Sequence, residues 1–350
     1  MRSRYTCFFF TFLIVFVGAI ILLLCACGKK DKEDGSELAL KKIFKINMAH
    51  SMTLDTPLHQ ACLRLKSYAN KKSNGRLIIE IYGASSLYSD KDMPEVLPAG
   101  VLDMGACSPL IWSGTVPALP LTCALSSSWE HTWRFIDDPE VIRILDKECQ
   151  TRANCKFLGA FDCAAGDCHA FTKPVRNLEE WKGKKVRAAG ELMNVIISAL
   201  GASPTTISSS EMYEALQRGT IQGVGSTVLG IKGRNIQEAA PYLIRWTFTY
   251  SEFSVLINLD KWNNLPDDLQ KILKEGVREQ MLWSRKVIKG IIEETWNDLA
   301  KAPGIKIYNV KDEQAKKWNA IIFPPFRKNY LKYSGESGKR LLARMDALRP

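Results

Sequence analysis

Arg187 closes a run of cations in the segment "KGKKVRAAG", residues 182–190, where three lysines give way to small apolar residues. The pattern of "KKVRAA" predicts a strand, which would carry the guanidinium toward a protein interior. A guanidinium there offers parallel N–H donors to an anion. The residues alone leave open whether that anion is a ligand, a protein carboxylate or the solvent at a sheet rim. His169 stands ready to donate to a ligand or to bond a backbone carbonyl. Cys163, Cys168 and His169 are residue types that zinc accepts, without a standard ligand spacing, and no C-x-x-C pair exists. Seven of the ten cysteines lie beyond residue 27, an odd number that leaves at least one unpaired. Cys149 with Cys155 and Cys163 with Cys168 are spaced for local disulfides in an oxidising compartment, and Cys62 and Cys107 fall on apolar faces as core.

The elements that must position these groups follow from periodicity. Residues 43–49, 76–82 and 101–107 read as strands. Between the first two lies a helix with Thr56 as N-cap, Pro57 at its first position and Gly75 as its stop. Strand–helix–strand order implies parallel strands with ligands beyond their carboxyl ends. Those ends hold His50, Ser51, Met52 and Asp55 after the first strand, and Ser108 and Trp112 after the third; His59 sits in the first helical turn. A second α/β block restarts after about residue 162, with strands at 156–161 and 168–172 and two more in "YLIRWTFT" and "FSVLINL". Ser208 and Glu211 are spaced as a capping box. Residues 266–302 predict a helix of roughly 50 Å, with Gly276 and Gly290 as possible breaks. If continuous, it touches both blocks as a spine.

The N-terminus is of another kind. Arg2 and Arg4 precede an apolar run from Phe8 to Leu24, and "LCAC" follows. This predicts a signal peptide over residues 1–26 with lipidation at Cys27, then a polar linker over 27–40. An uncleaved anchor helix is the rival, since 17 apolar residues approach the lower limit for spanning. Either way the body lies outside the cytoplasm, periplasmic and tethered to a membrane. Cleavage there lowers the net charge from +11 to +9, because two arginines and no acids are lost. The cations are scattered among acids, which reads as a solvated basic surface and not a nucleic-acid site. No G-x-S-x-G, P-loop or G-x-G-x-x-G is present, and four histidines are few for acid–base work. No catalytic residue, metal or cofactor is expected.

The stretch "WKGKKVRAAGELMNVIISALGASPTTISSSEMYEALQRGTIQGV", residues 181–224, resembles the signature region of the solute-binding subunits of TRAP transporters, the tripartite ATP-independent periplasmic systems. The "KGxKxR" strand, "GASPT" turn, "E-x-Y-x-ALQ-x-G" helix and following "xxG" strand occur in order. "TPLHQAC", "SNGRLIIEIY", "PALPLTCAL" and "NLPDDLQKIL" match further positions, so the resemblance runs over roughly residues 41–345. It implies an α/β, two-lobed periplasmic-binding-protein fold with a hinge and a long helix spanning both lobes. Lobe I is expected over 41–164 and 253–285, lobe II over 165–252 and 286–350.

The resemblance also implies that the lobes close on a small organic carboxylate and pass it to TRAP membrane permease subunits driven by an ion gradient. Arg187 matches the family arginine that pairs with the ligand carboxylate. A second family arginine, counted back without gaps, falls at Asp167, an acid. The loop after "xxG" has Gly225 and Ser226 where an acid and an asparagine often stand. Gly190, Cys168, His169 and Ser226 complete the expected cleft with Ser51 and Ser108, and Met52, Trp112, Met193 and Val228 supply apolar edges. This thinned polar clamp points to a monocarboxylate with an apolar body: a 2-oxo, aromatic or lipid-like acid. The alternative is a neutral hydrophobic ligand or a sensor subunit. A lipoprotein of this type is compatible with the subgroup that adds a periplasmic tetratricopeptide-repeat partner.

Overall fold

Two strands of 17 residues each organise the molecule. In the computed structural model, which describes residues 42–350, β4 (Cys155–Phe171) and β8 (Tyr242–Asn258) pair antiparallel along their whole length. Around them the sheet runs β2-β1-β3-β8-β4-β7-β5-β6, with β9 (Lys306–Asn309) paired to β8. The remaining strands are β1 (Phe44–His50), β2 (Leu77–Tyr82), β3 (Met104–Cys107), β5 (Lys185–Ala188), β6 (Ser203–Thr206) and β7 (Gly223–Ser226). β3 pairs with one end of β8, at Ser254–Ile257, and β7 with the other end of β4, at Cys168–Phe171. The long pair thus belongs to two strand neighbourhoods at once. Residues Ile43–Pro350 form one compact unit.

The sequence reading splits β4 and β8 into four strands, and the reason is physical. Bulges lie between Phe157 and Gly159, Asp162 and Ala164, and Gly166 and Cys168. Each bulge shifts which face a side chain takes, so the period-2 pattern breaks while the strand continues.

The helices are α1 (Pro57–Lys72), α2 (Trp129–Asp137), α3 (Pro139–Ala153), α4 (Glu191–Ala199), α5 (Met212–Gln217), α6 (Val228–Gly233), α7 (Asp267–Lys301) and α8 (Asp312–Ala347), besides short turns. α1 begins as expected: Thr56 Oγ1 accepts from His59 N at 3.4 Å, with Pro57 next. α7 is continuous over 35 residues. Gly276 does not break it; a Cβ there would lie 2.8 Å from Leu65 and Tyr68, so this glycine lets α1 and α7 approach closely. α8, which periodicity did not mark, carries Pro324 and Pro325 inside and kinks at Gly335, where φ is +58°. Two interior prolines argue against a helix, yet Trp318, Ile322, Phe326, Tyr330 and Leu341 bury a continuous stripe.

The expected disulfides do not form. All seven cysteines among the described residues are free and buried. Cys149 ends α3 and Cys155 opens β4, across the left-handed Asn154 cap, while Cys163 and Cys168 are separated along β4 by the bulges. No metal-binding cluster exists among the described residues, so Cys163, Cys168 and His169 do not converge. The signal peptide, Cys27 and the linker lie outside the described residues.

Candidate ligand-binding cleft

β5 is four residues long, and its side chains alternate so that Arg187 turns toward a cavity bordered by β8 and the start of α6. Arg187 is only 4% exposed. Its Nε donates to Ile207 O at 2.9 Å and its Nη1 to Gly225 O at 3.2 Å. Nη2 has no such partner among the described residues; it stands 3.9 Å from Asp90 Oδ2, an ion pair beyond hydrogen-bond reach. A second guanidinium, that of Arg234 at the end of α6, shares the cavity. Its Nη2 donates to Ser51 O and to Ser209 Oγ, the latter at 3.3 Å. Asp90, 6% exposed, accepts among the described residues only the long bond from Ser209 N to Oδ1, at 3.4 Å.

Burial lowers the Arg187 pKa to about 10; Asp90 opposes that shift and Arg234 adds to it. Burial likewise lowers Arg234, against the pull of Asp90, Cys163 and Asp55. Two guanidiniums therefore face one carboxylate, with Arg187 and Asp90 both buried. Apolar walls come from Met52, Leu110, Ala189, Met193, Phe248 and Phe253. The cavity measures about 80 Å³, against the roughly 150 Å³ of a void that admits benzene.

Of the residues expected at the site, Arg187, Ser51, Met52, Ser108 and Ser226 line this cavity, as does Met193. Trp112, Cys168, His169, Gly190 and Val228 do not. Trp112 and Cys168 are buried in the core. Val228 starts α6 and gives its N–H to Asp167 Oδ1 at 3.0 Å. His169 is enclosed by Trp181, Trp246 and Phe248, with ring centroids 5.1, 5.7 and 5.3 Å away. Burial depresses its pKa to about 3, so the ring is neutral. Asp167 lies outside the cavity lining, where Trp296 Nε1 of α7 donates to its Oδ2 at 2.7 Å. His50, behind Ser51, bonds the His59 ring at 2.9 Å.

Gly190 makes a close backbone contact. Its φ is +97°, and a Cβ would lie 2.6 Å from the Leu110 carbonyl oxygen. Gly190→Ala should lower stability by about 1–3 kcal/mol, read from the urea midpoint. An unchanged midpoint would show that the backbone moves aside freely.

Sequence reasoning missed Asp90, Arg234, Ser209 and the β8 residues Phe248, Thr249, Ser251 and Phe253. The strand-end rule, applied to β2 as well as β1 and β3, leads to the turn that holds Asp90. Of the β8 residues, Ser251 sits where the reading placed a gap between strands, and Phe248, Thr249 and Phe253 sit at the strand ends that flank it. Arg234 carries no local signal beyond a cation at a helix end.

The chain matches the family described as "Bacterial extracellular solute-binding protein, family 7", DctP, over residues 48–332. It is 22% identical over 300 residues to a C4-dicarboxylate-binding periplasmic protein of Rhodobacter capsulatus, covering 82% of this chain and 86% of that one. It is 26% identical over 269 residues to a monocarboxylate 2-oxoacid-binding periplasmic protein of Nostoc sp., covering 73% and 71%. A TRAP periplasmic solute-binding protein of Desulfovibrio salexigens, solved with orotic acid, shares the two-lobed fold: TM-score 0.81, 19% identity, 87% of this chain and 98% of that one. A family match across most of the chain, on a sheet whose two long strands serve two neighbourhoods, places this protein in the DctP family of TRAP solute-binding proteins.

Proposed function

We propose that this protein binds a compact monocarboxylate with an apolar body and delivers it to TRAP membrane permease subunits. The charge count of the cavity carries the reading. Arg187 and Arg234 against Asp90 leave one positive charge in excess, which one carboxylate balances and two would overfill. Arg187 Nη2 has no hydrogen-bond acceptor among the described residues, and the planar guanidinium suits a carboxylate. Met52, Leu110, Met193, Phe248 and Phe253 take the apolar part. The small volume favours a short acid over a long lipid chain. Asp90 Oδ2 accepts no hydrogen bond among the described residues, so a 2-hydroxy acid supplies a donor that a 2-oxo acid lacks. The relative described as binding 2-oxo monoacids supports the monocarboxylate class; the one described as binding C4 dicarboxylates marks the competing class.

The lobes in this reading are 41–164 with 253–285, and 165–252 with 286–350. The change of strand partners along β4 and β8 supports those bounds. Arg234 bonding Ser51 O, and Lys91 paired with Glu211 at 3.0 Å, then bridge the lobes around the cavity. Lipidation at Cys27, read from "LCAC", would keep the protein beside its permease.

A thermal-shift panel on the full chain in mild detergent tests the ligand class. It holds 2-hydroxy and 2-oxo monoacids on one short branched skeleton, succinate, and the neutral amide of the monoacid. A monoacid at a hundred times its Kd should add about 2.7 kcal/mol of stability, with succinate and the amide silent. Stabilisation by succinate alone would replace the monocarboxylate with a diacid. Stabilisation by the amide alone would remove the carboxylate from recognition.

A further inference from the structure

Behind the cavity, on the opposite face of the same strands, lies a buried polar cluster that ligand binding leaves unused. Asp162 on β4 and Glu252 on β8 stand directly opposite each other, 1% and 0% exposed. Ser251 and Phe253 line the cavity, and strand alternation turns Glu252 the other way. There α7 brings Arg285, with Nη2 4.0 Å from Glu252 Oε1 and Nη1 2.7 Å from Asp137 Oδ2 of α2. Arg278, also on α7, holds the other Asp137 oxygen at 2.6 Å. Trp133 of α2 donates from Nε1 to Asp162 Oδ1 at 3.1 Å, and Ser284 Oγ accepts from Asp162 N at 3.1 Å. Lys289 lies over the Trp133 ring and pairs with Glu130. The Cys123 thiol feels the Glu252 charge from the turn Leu119–Cys123.

Several atoms of this cluster are buried with no hydrogen-bond partner among the described residues: Asp162 Oδ2, both Glu252 oxygens, Ser254 Oγ, and Arg285 Nε and Nη2. Arg285 is already shared with Asp137. Two ionised carboxylates here would bury a charge that nothing offsets. A proton on Glu252 removes that charge and turns one orphaned acceptor into a donor aimed at Asp162. Burial pushes both carboxyls upward, Asp162 to about 6 and Glu252 well above its ordinary range. Trp133 donates to Asp162 and so keeps it as an acceptor, which leaves Glu252 to hold the proton.

The placement gives the cluster a purpose. The proposed lobe crossings fall at 164/165, 252/253 and 285/286. Asp162, Glu252 and Arg285 stand within two residues of the three of them in turn. We infer that Asp162 and Glu252 hold one proton between them and, with Arg285, form the pivot of lobe closure, so that closing takes up a proton. When the lobes part, water reaches the pair, and Glu252 releases its proton to solvent.

Two readouts on the full chain in detergent test this, without any ligand. Infrared difference spectra across pH should show the C=O band of a buried carboxylic acid, absent from Glu252→Gln. Hydrogen exchange, corrected for intrinsic rates, should show protection of residues 160–164 and 250–254 falling by up to about tenfold per pH unit between the ordinary carboxylate pKa and the higher pKa of the closed pair, and level above it. In Glu252→Gln, where the amide stays neutral, that protection should be flat with pH. The same acid band in the variant overturns the shared proton. A band lost in the variant with protection that is flat in both chains overturns the pivot. Should Glu252→Gln fail to fold, Asp162→Asn carries both readouts. The ligand panel is independent of either result, so a failed pivot and a misassigned ligand are separable.

Discussion

Arg187→Ala should weaken binding of the stabilising monoacid by more than tenfold, measured by calorimetry on the full chain. The donor lost is Nη2, which faces the cavity with only Asp90 at 3.9 Å. A ligand carboxylate there gains charge-assisted bonds beside a buried guanidinium, and removing one partner of such a pair costs about 2–5 kcal/mol. Some stability is lost too, because Ile207 O and Gly225 O lose their donors, at about 1–3 kcal/mol. Arg187→Lys separates charge from geometry. It keeps the charge but cannot present the planar fork, so it should recover only part of the affinity. Affinity within threefold of wild type in Arg187→Ala would take this arginine out of recognition and leave Arg234 as the carboxylate's partner.

Asp167→Ala should be the most destabilising single change to a polar side chain, costing about 2–5 kcal/mol because two buried donors lose their acceptor. One is Trp296 Nε1, from the second half of α7; the other is Val228 N, at the start of α6. The carboxylate thus ties the spine helix to the helix that ends in Arg234. Urea unfolding should show a lower midpoint with an unchanged slope. Asp167→Asn should recover little, since its amide turns a donor toward one of those donors. Burial raises the Asp167 pKa to about 6, against the bonds from Trp296 and Val228. The folded chain therefore binds this proton more tightly than the unfolded chain. This group's stabilising share is complete below the ordinary carboxylate pKa and is lost as pH rises through about 6. A midpoint within error of wild type for Asp167→Ala would mean that water replaces the carboxylate without loss.

The contrast between Arg187 and Asp167 shows what the sequence carries and what it hides. Arg187 was legible because a strand of four residues placed it, and local pattern predicts local strands well. Asp167 was counted into the position of a second arginine, but it lies within the bulge between Gly166 and Cys168, outside the cavity lining. Gap-free counting preserves separation along the chain and cannot see a change of face. α7 was readable end to end because its apolar stripe keeps one period. α8 was not, because Pro324 and Pro325 contradict its stripe. Asp90, Arg234 and Phe248 meet only in three dimensions, from segments more than a hundred residues apart at the extremes, so no spacing rule unites them.

The burial of every cysteine among the described residues also bears on how the chain matures. The thiolate is the reactive form, and burial raises the thiol pKa at Cys62, Cys123, Cys155 and Cys163. Once folded, these thiols are shielded twice, by access and by ionisation. Before folding they have neither shield. Cys155, Cys163 and Cys168 all lie on β4, whose pairing with β8 joins residues from Cys155–Asn258 inward to Phe171–Tyr242. Such distant pairings form slowly. In an oxidising compartment, maturation is then a race between strand pairing and wrong disulfides, and the long strands set its pace.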